Sequence, residues 1–136
     1  MNRFISTRTH AVIGLILGVA LILAPNLFGF SDNGGAAVAI PRILGVVIIL
    51  SELTTDNGIG LKLIPMRAHL ALDIVAGLFL AASPWLFGFS DQGTNAWLPH
   101  LVAGLAYAGI SLATQTEVEP KRSTQRNTHP GDKAHA

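Results

Sequence analysis

The sequence predicts an all-α membrane protein whose four transmembrane helices form two tandem helical hairpins in parallel repeat. Three observations predict it. Half of the 136 residues are hydrophobic and only 12% are charged, against about 25% in an ordinary soluble domain. The charges are segregated, crowding the last twenty residues and sparing long stretches of the body. Finally, the sequence matches itself when shifted by 59 residues, so that His10 lies over His69 and Pro25 over Pro84.

The apolar segments run from about His10 to Ala24, Ala36 to Leu53, Met66 to Ser83 and Ala96 to Ala113. Eighteen residues of helix span about 27 Å, close to a hydrocarbon core of about 30 Å, so flanking residues such as Thr9 and Leu27 are expected to extend the spans. Four such helices without a polar face would leave a soluble protein nothing to present to water. Arg3 and Arg8 before the first segment resemble the start of a signal peptide. Pro25 after the candidate cleavage residue Ala24 argues against cleavage there, and so does the same pattern in mid-chain.

The expected organisation is an N-terminus at 1–9, a first hairpin at 10–53, a loop at 54–65, a second hairpin at 66–115 and a disordered polar tail at 116–136. In the repeat, His10 to Gly18 lies over His69 to Gly77. Leu27-Phe28-Gly29-Phe30-Ser31-Asp32 recurs without change as Leu86-Phe87-Gly88-Phe89-Ser90-Asp91. A one-residue slip then brings Ile40-Pro41-Arg42 over Leu98-Pro99-His100. Two spans per unit is an even number, so both units face the same way and are related by an axis along the membrane normal.

Ser83-Pro84-Trp85, at the end of the first helix of a two-helix repeat, resembles the SPW repeat family of small bacterial and archaeal membrane proteins. The first unit departs from that motif, with Ala24-Pro25-Asn26 in its place. The resemblance spans about residues 10–115 and implies a membrane-embedded repeat protein, without implying a reaction or a ligand.

The motif residues Pro25, Phe28, Gly29, Asp32, Ser83, Pro84, Trp85, Phe87, Gly88 and Asp91 read as structural. Proline lacks an N–H, so Pro25 and Pro84 mark where each first helix stops or bends. Gly29 and Gly88 permit angles that other residues resist. Ser31-Asp32 and Ser90-Asp91 are expected to accept hydrogen bonds at the turn or the next helix start. If Asn95 caps the fourth helix, Pro99 lies in its first turn. The aromatic residues at this end, Trp85 and Trp97 among them, suit an interfacial belt; a ligand pocket is the alternative. Arg42 and His100 coincide in the slipped alignment, near the same surface as the motif turns, which raises the idea of a weak anion site there.

Lys and Arg concentrate at both ends and in the central loop, at Arg3, Arg8, Lys62, Arg67, Lys121, Arg122, Arg126 and Lys133. The positive-inside rule therefore predicts a multi-pass protein of the cell (inner) membrane with both termini cytoplasmic.

Asp73 is the residue that apolar packing does not explain. It lies about 10 Å into the third helix, where a carboxylate costs on the order of 2.5–3.5 kcal/mol at mid-span. His69, four residues earlier, shares its face. The pair forms a candidate polar site within the membrane, able to relay protons or hold part of a metal site; the structural alternative is a carboxylate satisfied by His69, Arg67 or a neighbouring helix through Ser51. His10 is expected to be an interfacial histidine, solvated or serving as a cap. Two ligands are too few for a structural metal site, so no metal and no cofactor are expected. Cysteine is absent, which removes disulfides and thiolate ligands. A net charge of +1 gives no case for nucleic acid. Gly14 and Gly18, and Gly104 with Ala108, are small residues four apart that let helices approach closely.

No phosphate loop, nucleophile elbow or HExxH motif occurs. The expected function is that of a non-enzymatic bundle with a structural, assembly or partner-binding role. Its expected partners are the lipid bilayer and either a second copy or another membrane protein. The alternative is a small oligomeric transporter or channel, proton-coupled through Asp73 and His69.

Overall fold

A computed structural model describes residues 2–120. Four helices follow in order: α1 (Thr7–Leu27), α2 (Gly35–Thr54), α3 (Met66–Leu86) and α4 (Thr94–Ala113). Each has 20 or 21 residues, or about 30 Å of rise. All four are long and apolar enough to cross a membrane. The flanks do extend the spans, since α1 takes in both Thr9 and Leu27. Of the tail expected at 116–136, residues 121–136 lie outside the described residues, as do Lys121, Arg122, Arg126 and Lys133.

The distribution of polarity is inverted relative to a water-soluble fold. Ile16, Ile43, Val75 and Val102 point outward from the four helices, while His10, Glu52, His69, Asp73, Ser111 and Thr114 are buried. A shared apolar core of Leu21, Ile48, Leu80 and Tyr107 takes one residue from each helix. α1 packs along α2, and α3 along α4, whereas contacts between the two hairpins are sparse.

The close crossings explain why glycine is used in mid-helix. A Cβ on Gly18 would meet the Gly45 carbonyl, and one on Gly104 would meet the Gly77 carbonyl and Ala81. Ala108 lies against Gly77 in the same crossing. These small residues thus let helices within one hairpin approach each other. Gly45 and Gly104 stand 59 residues apart and fill equivalent crossings, so the slip expected in the second helix of each unit does not occur.

Both hairpins close in the same way. Pro25 and Pro84 lie inside their helices, which continue to Leu27 and Leu86. Gly29 and Gly88 then adopt φ of 73° and 71°. The next N–H, of Phe30 or Phe89, reaches back to the carbonyl of Pro25 (2.9 Å) or Pro84 (2.8 Å). This is the six-to-one bond of a Schellman motif. The prolines therefore serve as acceptors in the last turn rather than as stops. Asp32 and Asp91 do not cap the next helices. The N-caps are Gly34 and Gly93, with no side-chain bond, so each aspartate stands two residues too early. Asn95 lies within α4, which moves Pro99 beyond the first turn, and its Nδ2 donates to the Phe28 carbonyl of the other hairpin at 2.9 Å.

Candidate functional site

At the end of the bundle opposite the motif turns, His10 of α1, Glu52 of α2, and His69 and Asp73 of α3 come together. Their exposures are 0, 1, 0 and 3%. Four contacts close a ring of alternating nitrogen and oxygen. His10 Nε2 lies 2.9 Å from Asp73 Oδ2, which lies 2.9 Å from His69 Nε2. His69 Nε2 lies 3.2 Å from Glu52 Oε1, which lies 3.4 Å from His10 Nε2.

Local structure orients each member. His10 stands one turn into α1, behind a Ser6 cap whose oxygen accepts from the Thr9 N–H at 3.1 Å. His69 and Asp73 share a face of α3 at four-residue spacing. Glu52 fits because Gly14 faces it on α1: any Cβ there would overlap the Glu52 carboxylate.

The outer contacts assign the imidazole protons. Thr114 Oγ1 donates to the Ile110 carbonyl (2.7 Å) and Thr55 Oγ1 to the Ser51 carbonyl (2.7 Å). With those hydroxyl protons committed, the threonines must accept from the histidines, His10 Nδ1 at 2.9 Å and His69 Nδ1 at 2.8 Å. Both rings therefore carry hydrogen on Nδ1 and direct Nε2 inward. Ser51 Oγ also lies 2.9 Å from His69 Nδ1. The carboxylates are supported too: Asn57 Nδ2 donates to Glu52 Oε2 at 3.0 Å and Ser111 Oγ to Asp73 Oδ2 at 3.4 Å. Tyr107 stacks on His10, with ring centroids 6.0 Å apart, and among the described residues its buried hydroxyl makes no hydrogen bond of ordinary length.

The sequence singled out His69 and Asp73, and they do sit together. It missed Glu52, which reads as the tail of an apolar segment, and it placed His10 at the interface, solvated or as a cap, whereas His10 is fully buried. The available signal was the repeat, which sets His10 over His69. Ser51 partners His69 rather than Asp73.

The motif residues form a separate, mostly structural end. Ser83 Oγ donates to the Leu80 carbonyl at 2.7 Å, inside the bundle. Trp85 is 55% exposed, and its ring lies 6.0 Å from that of Trp97. Phe28 and Phe87 are exposed, but Phe30 and Phe89 are buried against His100. Burial takes His100 out of any anion site with Arg42, which is exposed and donates to Asn26 Oδ1 instead. A cavity of about 240 Å³, lined by Leu17, Leu21, Phe28, Phe30, His100 and Ala103 among others, lies mainly between α1 and α4.

No curated protein and no solved structure matches the chain. The SPW repeat domain matches it over residues 8–114. That match runs from the first turn of α1 past the end of α4 and takes in both hairpins, and the chain belongs to the SPW repeat family.

Proposed function

We propose that this multi-pass membrane protein is a non-enzymatic bundle with a structural, assembly or partner-binding role, in which the buried ring clasps the two hairpins together. It would sit in the inner membrane with both termini and the 54–65 loop cytoplasmic. One observation carries the reading: the hairpins share few contacts, yet the ring takes one imidazole and one carboxylate from each. Paired charges of this kind are costly to bury singly and hold their elements in one arrangement when satisfied together.

A second reading, a small oligomeric proton-coupled transporter using Asp73 and His69, draws on the fact that ionisable side chains within membrane spans often mark ion paths. Almost complete burial of the ring weighs against it. Full-length protein in liposomes separates the two. The clasp reading expects no proton or solute flux above empty vesicles. Flux that Asp73→Asn abolishes would overturn it.

A further inference from the structure

The ring has the donor set and the support of a metal site. Both histidines are fixed with hydrogen on Nδ1, so each turns Nε2 toward the same point. Four candidate ligand atoms, one from each of His10, Glu52, His69 and Asp73, lie within 4.8 Å of one another. A tetrahedral ion with bonds of about 2.0–2.1 Å needs ligand atoms about 3.3 Å apart. Four of the six edges, the nitrogen–oxygen ones, measure 2.9, 2.9, 3.2 and 3.4 Å, and the nitrogen–nitrogen and oxygen–oxygen pairs lie within 4.8 Å. Three helices supply these atoms, so their convergence does not follow from the geometry of any one helix.

Charge leads to the same place. Two imidazoles neutral at Nε2 and two carboxylates sum to two negative charges, which one divalent cation cancels. The alternative is a ring with both imidazoles doubly protonated, which is also neutral. The surroundings supply what a metal site needs. Each histidine donates its outer N–H to a threonine oxygen, Asn57 holds the second oxygen of Glu52, and Ser111 donates to Asp73. Outer contacts of this kind orient and tune metal ligands. Tyr107 closes the ring on its inner side. Its hydroxyl is buried beside Asp73, with no hydrogen bond of ordinary length among the described residues.

We propose that His10 Nε2, His69 Nε2, Glu52 Oε1 and Asp73 Oδ2 bind one first-row divalent metal ion. Imidazole and carboxylate donors without sulfur are ordinary Zn²⁺ ligands, which makes Zn²⁺ the probe. The proposal deepens the clasp reading by naming what the clasp closes on.

The test uses the full chain in detergent, stripped with a chelator, reloaded with Zn²⁺ and freed of excess before metal analysis. About one Zn²⁺ per chain is expected, and Co²⁺ in its place should give the intense visible absorption of a tetrahedral site. Glu52→Gln and His69→Gln should lose the ion. Should those variants fail to fold, Thr55→Val and Thr114→Val leave all four ligands in place and should weaken Zn²⁺ binding by about 10–100-fold. A wild-type chain that takes up no Zn²⁺ and shows only the pale spectrum of aqueous Co²⁺ overturns the proposal. So does uptake that none of these substitutions alters. The clasp is judged separately: a metal-free chain still destabilised by losing Asp73 keeps the clasp and loses the metal, while Asp73-dependent flux from a chain that binds Zn²⁺ does the reverse.

Discussion

The two hairpins share one scaffold and place their acids at opposite corners of it. His10 and His69, Gly18 and Gly77, Gly29 and Gly88, Gly45 and Gly104, and Thr55 and Thr114 are each 59 positions apart and occupy equivalent places. Even the bonds are exchanged evenly: His10 of the first hairpin reaches Thr114 of the second, and His69 of the second reaches Thr55 of the first. For the acids the difference lies in two positions. The first hairpin has Gly14 on its leading helix and Glu52 on its trailing one. The second has Asp73 and Ser111 in the corresponding places. A ring of two imidazoles has room for two carboxylates, and each hairpin contributes one from a different helix. The lesson is that a symmetrical frame acquires a specific centre by breaking its symmetry at a few side chains.

The largest expected effect comes from giving the second hairpin the first one's residue. Asp73→Gly leaves two buried imidazoles facing a single carboxylate and should cost about 3–5 kcal/mol, as lost resistance to unfolding in mixed detergent. Next comes Gly14→Ala, which pushes a methyl group into the Glu52 carboxylate and should cost about 1–3 kcal/mol. Combined with Glu52→Ser, the alanine should cost little more than the serine alone, giving a coupling of about 0.5–3 kcal/mol in a double-mutant cycle. Additive effects would mean that the two positions do not share space. The smallest effect is expected where the hairpins agree. Gly29→Ala and Gly88→Ala, both at positive φ, should each cost about 1–2 kcal/mol, and to the same extent. A clear inequality between them would show that the turns are not equivalent.

Much of the fold was legible because apolar length and the repeat are properties of contiguous sequence. Helix ends were less so. Pro25 reads as a terminator, yet a carbonyl can accept in the last turn whatever its own nitrogen lacks. Asp32 reads as a cap, but glycine at positive φ starts the next helix instead. The site was half legible. His69 and Asp73 announce themselves by spacing on one helix. Glu52 and His10 join them only through the way two hairpins face each other, which no local pattern records. Glu52 is further disguised by the apolar run around it, and its tolerance there depends on the missing side chain of Gly14.

That division of the ring has a consequence for biogenesis. A chain is made from its N-terminus, so the first hairpin emerges from the ribosome before the second exists. Had both acids come from one hairpin and both bases from the other, each half would have entered the bilayer with stranded charge. Instead His10 and Glu52 lie 3.4 Å apart within the first hairpin, and His69 and Asp73 lie 2.9 Å apart within the second. Each hairpin can thus insert with its own acid and base already matched. Docking then becomes an exchange of partners rather than the rescue of an isolated ion.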